Sequence, residues 1–387
     1  MQAFEIKKGI YWVGGIDWNV RDFHGYRTQL GSTYNAYLII DEKVTLVDTV
    51  KCYLVDEMLE RISNIIDPSK IDYIVSNHVE MDHSGGLSKL IDIIPNVKIY
   101  TSKKGKEGLI RHYKKDWNFL EVKTGDVLNI GKRNLTFVQV PMVHWPDSMV
   151  TYIPEENLLL PNDAFGQHIA SSERFDDLID FDILMNQSAK YYSNIVLPFG
   201  SQVLKAIDVV DSLDIDMIGP SHGVIWKKNI PAIIEKYKKW ASNVTDEKAV
   251  IVYDSMWGST EKIARFIYSA FEKKSIKVKL MNLKHNHISD VMTEILEAKY
   301  ICIGSPTLNN GMLPTVSAFL TYLKGLFPKN RKAIVFGSYG WGGQSIGEIA
   351  SVLEKIGCEF LIDPMRINYV PDKKELLKIE NLVYEKI

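Results

Sequence analysis

The sequence predicts a two-domain α/β protein whose C-terminal half is a doubly wound parallel sheet. The chain has 387 residues, which is long for one hydrophobic core and sufficient for two. From Ala249 onward, apolar strand-like runs alternate with helical stretches. In the first half, strand-like runs end repeatedly in histidine or carboxylate residues. Residues 241–248 are polar and lack periodicity, so we predict domains at residues 1–245 and 249–387.

Composition excludes several classes of protein. The 46 basic and 48 acidic residues nearly balance, which predicts no nucleic-acid partner. No apolar run approaches the ~18 residues of a membrane span, and the N-terminus does not resemble a signal peptide. Cys52, Cys302 and Cys358 are scattered, so they cannot hold an iron–sulfur cluster or a rubredoxin iron. We therefore expect no membrane partner and a reducing, cytoplasmic location.

The first half contains short apolar runs typical of strands and longer stretches of helical periodicity. Strands are predicted at residues 9–13, 34–40, 45–50, 71–75, 97–101, 134–140, 149–154 and 157–160. Helices are predicted at residues 53–66, 87–91, 104–115 and 230–240, with two more at 186–212 that are interrupted at 197–200.

One stretch in this half concentrates candidate metal ligands. His78, Glu80, Asp82 and His83 form the pattern H-x-E-x-D-H between the strand at 71–75 and the next helix. We expect a turn at the carboxyl end of that strand, where open α/β sheets place their chemistry. Structural zinc prefers cysteine and histidine, whereas mixed imidazole and carboxylate ligands suit iron or manganese as well as zinc. The alternative is a polar surface turn.

Three further strand ends deliver the same residue types, namely His144, Asp163 and His222. Four histidines and three carboxylates are too many for one ion and suit two ions that share a carboxylate. Asp163, alone at its strand end, is the natural bridge. We expect His168 and His24 to support or cover this site rather than to ligate metal.

In the second half, strands are predicted at residues 249–253, 277–281, 300–304, 333–337 and near 360–362, with a closing helix from Asp372. Three loops follow strand carboxyl ends and combine hydroxyls, glycines and aromatic rings. The first offers a helix N-terminus to a phosphate but lacks the lysine of a nucleoside-triphosphate loop. The loop residues are Ser255, Met256, Trp257, Gly258, Ser259, Thr260, Pro306, Thr307, Leu308, Asn309, Asn310, Ser338, Tyr339, Gly340, Trp341, Gly342 and Gly343.

Each half resembles a known fold. The first is similar to the metallo-β-lactamase fold, an αββα sandwich whose zinc hydrolases carry H-x-H-x-D-H. Here Glu80 replaces the second histidine, and the added negative charge favours a redox-active iron pair over hydrolytic zinc. In the second half, the pattern S-x-x-G-x-T from Ser255 resembles the phosphate loop of flavodoxins, which bind FMN.

Together the halves resemble the flavodiiron proteins (A-type flavoproteins) over essentially the whole chain, in the minimal two-domain form. The resemblance implies two iron ions and FMN as cofactors, with FMN on the three loops. It also implies a ligand set in which Asp163 bridges the irons; His78, Glu80 and His144 bind one ion; and Asp82, His83 and His222 bind the other.

The resemblance further implies reduction of dioxygen to water or of nitric oxide to nitrous oxide. Head-to-tail dimers occur in the family, so we expect a homodimer or a homotetramer. Residues 160–168 resemble the methanogen branch, in which some members take electrons directly from the reduced deazaflavin coenzyme F-420. The main alternative is a rubredoxin-dependent dioxygen or nitric oxide reductase. A zinc hydrolase and a non-catalytic electron carrier are the remaining alternatives.

Overall fold

The computed structural model describes residues 1–387, and the chain divides into two compact units. The first comprises Met1–Phe23, Thr28–Tyr191 and Ser201–Lys238; the second comprises His24–Arg27, Tyr192–Gly200 and Lys239–Ile387. None of the helices combines the length and apolarity needed to traverse a lipid bilayer. The predicted limits of the domains, residues 245 and 249, remain a prediction.

The first unit contains a seven-stranded sheet whose spatial order follows the chain. Pairing is antiparallel among the first four strands and parallel from the fourth onward. The strands are β1 (Phe4–Lys7), β2 (Ile10–Trp12), β3 (Tyr37–Ile39), β4 (Thr45–Val47), β5 (Tyr73–Val75), β6 (Lys98–Ser102) and β7 (Phe119–Val122).

A second, five-stranded sheet in this unit also follows chain order. Its first four strands pair antiparallel, and the last pair is parallel. The strands are β8 (Val127–Asn129), β9 (Asn134–Gln139), β10 (Met149–Ile153), β11 (Leu158–Leu160) and β12 (Met217–Ile218).

Alternation along β3, β4 and β5 explains why the two sheets stack. Tyr37, Val47 and Val75 face one way and pack in a buried cluster with Phe137 and Leu158 of the second sheet. Their neighbours point to the opposite face and pack with helices, as expected for a period of two. That second cluster includes Leu38, Leu46, Ile74, Met58, Ile62, Leu87 and Leu90. The predicted metallo-β-lactamase-like sandwich is confirmed.

The helices of the N-terminal half lie close to their predicted positions. The predicted break at 197–200 contains a 3₁₀ turn, Leu197–Phe199, preceded by a π-helical turn, Tyr192–Val196. Pro198 cannot donate a backbone hydrogen bond, which explains the interruption. The helices are α1 (Val55–Ser63), α2 (Met81–Ser84), α3 (Leu87–Ile93), α4 (Lys103–Tyr113), α5 (Phe181–Tyr191), α6 (Gly200–Val210) and α7 (Ile230–Ala241).

The second unit is built on a parallel sheet. Its strands are β13 (Asp246–Tyr253), β14 (Lys277–Asn282), β15 (Ala298–Gly304), β16 (Lys332–Tyr339), β17 (Glu359–Phe360) and β18 (Met365–Asn368). Their order is β14-β13-β15-β16-β17, and β18 also pairs with β16, which is the doubly wound arrangement predicted for the C-terminal half. The helices are α8 (Ser259–Lys273), α9 (Ile288–Ile295), α10 (Pro314–Leu326), α11 (Gln344–Lys355) and α12 (Lys373–Lys386).

Two details of this sheet differ from the prediction. The first strand begins at Asp246 rather than Ala249, because Asp246 pairs with Ala298 on β15 and Lys248 pairs with Lys277 on β14 despite their charges. The expected fifth strand is split in two, and both β17 and β18 hydrogen-bond to β16. Polar residues on the exposed side of a strand explain why periodicity alone placed these boundaries incorrectly.

Glu294 on α9 gives this unit a pH-dependent contribution to stability. Its carboxylate lies 2.7 Å from the Lys248 ammonium and 2.6 Å from the Lys279 ammonium. Burial alone would raise the pKa of Glu294, but the two ion pairs outweigh it and the pKa is lowered. A lowered pKa stabilises the fold above the ordinary glutamate pKa of about 4.3, and this contribution is lost as pH falls through the folded-state value.

We therefore expect Glu294→Gln to lower the melting temperature near neutral pH and to flatten its decline in acid. Thermal melts from pH 3 to pH 7 test this. Glu261→Gln, which removes a more exposed ion pair with Arg265 on α8, is the control and should have a smaller effect. Equal acid dependence in wild type and Glu294→Gln would contradict the assignment.

Candidate functional site

The H-x-E-x-D-H stretch follows β5, as predicted, but it is not a turn throughout. Asp82 and His83 lie on the one-turn helix α2, Met81–Ser84. The Ser84 hydroxyl donates to the carbonyls of Val79 (2.8 Å) and Glu80 (3.0 Å), which closes the turn. A single helical turn therefore directs Asp82 and His83 toward the site, and the expectation of an irregular loop was wrong for these two residues.

The structure brings all seven predicted ligands together in two groups. His144 follows β9, Asp163 follows β11 and His222 follows β12. Within each group, one ligand atom from every residue lies within 4.8 Å of the others. The first group is His78, Glu80, His144 and Asp163, and the second is Asp82, His83 and His222.

Asp163 lies between the two groups. Its Oδ2 atom is 3.1 Å from His144 Nε2 and 3.5 Å from His78 Nε2. Its Oδ1 atom is 3.0 Å from His83 Nε2 and 3.4 Å from His222 Nε2. Each carboxylate oxygen thus faces one ligand group, which is the geometry required of a bridging ligand.

Buried polar atoms at this site lack hydrogen-bond partners. Both carboxylate oxygens of Asp82 and Asp163 and both ring nitrogens of His83 are in this state, and the three residues are at most 3% exposed. Burial would raise the pKa of Asp163, but the surrounding imidazoles hold it well below its usual range, so the group is an anion. Buried polar atoms without hydrogen-bond partners are costly unless they coordinate metal. The imidazole and carboxylate donor set fits two iron ions.

Two hydrogen bonds orient the histidine rings from outside the ligand set. Asp147 Oδ2 lies 2.8 Å from His78 Nδ1 and accepts from the Val79 backbone N–H at 2.9 Å. The Thr33 carbonyl lies 2.8 Å from His222 Nδ1. Each bond directs the Nε2 atom of the ring into the site. Sequence analysis missed Asp147, although it follows His144 by three residues in the same loop.

His168 and His24 belong to neither ligand group. His168 is fully buried, its Nδ1 lies 2.7 Å from the Ser32 hydroxyl, and its ring centre is 4.7 Å from that of His222. His24 is exposed, has a positive φ of 55° and belongs to the second compact unit. The supporting or covering roles predicted for these two residues remain predictions.

We expect Asp147→Ala to weaken iron binding by about 10- to 100-fold, because His78 loses the acceptor that fixes its ring. Competition with a ferrous chelator measures this. Asp147→Asn keeps an oxygen acceptor without the charge and should lie between Asp147→Ala and wild type. Unchanged iron retention in Asp147→Ala would show that packing alone orients His78.

In the second unit, all three predicted loops line one cavity of about 550 Å³. This volume lies within the range of small-molecule sites. Sequence analysis missed Tyr369 and Val370, which follow β18 and complete the wall. The lining residues are Met256, Trp257, Ser259, Pro306, Thr307, Leu308, Asn309, Asn310, Ser338, Tyr339, Gly340, Trp341, Tyr369 and Val370.

The other five predicted loop residues do not line the cavity but shape the loops that do. The Ser255 hydroxyl accepts from the Gly258 N–H at 3.1 Å, and the hydroxyls of Thr260 and Ser338 are 2.9 Å apart. The remaining three have the positive φ that favours glycine, which permits the tight turns. They are Gly258 (85°), Gly342 (83°) and Gly343 (83°).

The cavity fits FMN in two respects. Helix α8 begins at Ser259 on its wall, so unpaired backbone N–H groups at that helix end can receive a phosphate. Trp257 and Trp341 also line it and are 93% and 80% exposed. Exposed aromatic faces of this kind suit a flat ring system.

Comparisons with known proteins agree with both predicted folds. Residues 33–223 match the ODP family beta lactamase model, and residues 251–380 match the flavodoxin model. An uncharacterized protein of Methanocaldococcus jannaschii is 48% identical over 98% of this chain and 96% of its own length. A nitric oxide reductase of Moorella thermoacetica is 45% identical over 98% of this chain and 97% of its own length.

Solved structures of similar proteins share this two-domain fold. The rubredoxin oxygen:oxidoreductase of Desulfovibrio gigas superposes with a TM-score of 0.97 at 43% identity, covering 100% of this chain and 98% of that one. The flavodiiron protein of Giardia intestinalis superposes with a TM-score of 0.96 at 34% identity, covering 100% and 96%.

Fold and sites together define a flavin- and iron-dependent oxidoreductase. The chain belongs to the flavodiiron protein family. Its cofactors are FMN and two iron ions, and its family acts on dioxygen or nitric oxide. The predictions of family, fold class, enzyme class and cofactors are confirmed, and the named relatives give no support to the zinc hydrolase alternative.

Proposed function

We propose that this protein reduces dioxygen to water, with electrons that the reduced deazaflavin coenzyme F-420 delivers to FMN. The observation that carries the proposal is Asp163, whose two oxygens face two separate ligand groups. We propose the seven residues of these groups as the iron ligands. The three free cysteines fit the cytoplasmic location that we propose.

Reduction of dioxygen to water consumes four electrons and four protons. The FMN and the iron pair supply electrons to the gas when they are bound. The chain itself sets the spacing of the two ligand groups through Asp163. Glu80 and Asp82 give each group one further carboxylate, so negative charge is shared between the two groups.

Access to the flavin cavity supports a small planar donor. Trp257, Trp341 and Tyr369 line its mouth and are 93%, 80% and 63% exposed. A deazaflavin is a flat ring system that can approach such a surface and stack on it. Residues 160–168, which resemble the methanogen branch, support the same donor.

A rubredoxin-dependent dioxygen or nitric oxide reductase is the second candidate. It is favoured by the names of two similar proteins, a nitric oxide reductase and a rubredoxin oxygen:oxidoreductase. The same ligand groups and flavin cavity would serve this activity, so the difference lies in the donor and the gas.

We also propose a homodimer or homotetramer in which flavin and metal sites of different copies meet head to tail. The resemblance to the flavodiiron proteins, in which head-to-tail dimers occur, supports this arrangement. Light scattering of the purified holoprotein should give at least two chains per particle. A monomeric mass would refute this arrangement.

Dioxygen uptake by anaerobically purified holoprotein, with reduced F-420 as sole donor, tests the main proposal. We expect rapid uptake without hydrogen peroxide, and no uptake by the Asp163→Ala variant. No uptake with reduced F-420, but activity after addition of rubredoxin and its reductase, would refute the donor. That result would establish the second candidate, and faster consumption of nitric oxide than of dioxygen would identify nitric oxide as its main substrate.

A further inference from the structure

The first unit contains a small apolar cavity between the second sheet and helix α6. Its volume is about 20 Å³. Val138, Val150 and Leu159 line it from β9, β10 and β11, and Ala206 and Val210 line it from α6. It is therefore separate from the flavin cavity of the second unit.

Part of its wall is the same backbone that carries the metal ligands. Val143 lines the cavity and immediately precedes His144. Ala164 and Phe165 line it and immediately follow Asp163. Consecutive Cα atoms are only about 3.8 Å apart, so the wall of the cavity comes within one residue of His144 and of Asp163.

The lining of the cavity offers few hydrogen-bond partners to a water molecule. Tyr237 is the one polar side chain in its lining, and its hydroxyl accepts a hydrogen bond from the Phe165 N–H at 2.8 Å. A volume above ~10–15 Å³ is large enough for one water-sized molecule, but a buried water needs two to four polar partners. Apolar cavities stay dry and bind apolar guests such as xenon.

The opposite end approaches the protein surface. Val209 and Leu213 also line the cavity, and Val209 is 36% exposed whereas Val143 is 3% exposed. The lining thus runs from the outer side of α6 to the ligand-bearing loops without a charged side chain. A charged or strongly hydrated species would lose its solvation along this lining.

We propose that this cavity is a binding site for the substrate gas, a small apolar diatomic molecule, beside the metal centre. The proposal rests on the proposed function and adds to it a place where the gas is concentrated. Dioxygen and nitric oxide are neutral and weakly hydrated, so they partition into an apolar space that excludes water and ions. Such a site raises the local gas concentration next to Asp163 and His144.

Xenon pressurisation of holoprotein crystals, read by anomalous scattering, tests occupancy directly. We expect a xenon peak within the lining of the wild type. Ala206→Leu extends a side chain from α6 into the cavity and should abolish the peak. Val210→Ala enlarges the cavity and should strengthen it. Lys205→Leu adds apolar volume on the exposed side of the same helix and should leave the peak unchanged.

Steady-state gas consumption tests the link to catalysis. Ala206→Leu should raise the KM for the gas several-fold with kcat unchanged, whereas Lys205→Leu should resemble wild type. If Ala206→Leu does not fold, Val210→Ala takes its place in the test. This variant should retain xenon and should lower the KM or leave it unchanged. Absence of xenon from the wild type, or loss of xenon without a change in KM, would overturn the gas site alone. Absence of gas reduction despite full iron and FMN content would instead refute the proposed function.

Discussion

Replacing Asp163 with alanine is expected to remove both iron ions while FMN stays bound. Asp163 is the one residue whose two oxygens approach histidines of both groups, at 3.0 and 3.1 Å. Its loss leaves three residues in each group. The loss in iron affinity should exceed the ~10- to 100-fold that is typical of residues supporting a ligand from outside.

Iron analysis and flavin absorbance on the same sample measure this result. Asp163→Asn is the matched control, because it keeps one oxygen and the volume but removes the charge. We expect it to retain some iron in the first or second group and to be inactive in gas reduction. Retention of two irons per chain by Asp163→Ala would refute the bridging role.

The seven candidate ligands were predictable because each lies just past a strand-like run. Strand ends are recognisable from periodicity, and the edge of a sheet collects them in one place. Position along the chain was thus sufficient to predict that His144, Asp163 and His222 lie near one another. The local conformation of Asp82 and His83 was not predicted, because the hydrogen bonds that the Ser84 hydroxyl donates to the carbonyls of Val79 and Glu80 are not visible in the hydrophobic pattern of the sequence.

Contacts between distant loops also could not be predicted from the sequence. Asp147 reaches His78 because the loop after β9 packs beside the loop after β5, and no local pattern records that packing. Tyr369 and Val370 join the flavin cavity because the last strand is split, so the loop after β18 reaches it. Periodicity indicates where a strand lies but not how its end is positioned.

Placing a negative charge at the start of α8 should remove FMN and leave the iron pair intact. Ser259 lines the flavin cavity and is the first residue of the helix. In Ser259→Asp, the carboxylate would occupy the helix end that we assign to the FMN phosphate and would repel it. We expect FMN affinity to fall by at least tenfold, which corresponds to about 1.4 kcal/mol.

This variant separates a binding defect from a folding defect. A carboxylate in the first turn interacts favourably with the helix dipole, by about 0.3–1 kcal/mol, which offsets part of the cost of placing a charge at a residue that is 8% exposed, so the apoprotein should stay folded. Flavin titration followed by fluorescence and thermal melting of the apoprotein measure the two quantities. Ser259→Ala removes the hydroxyl without adding charge and should lose much less affinity. If Ser259→Asp binds FMN as tightly as wild type, the phosphate does not lie at the start of α8.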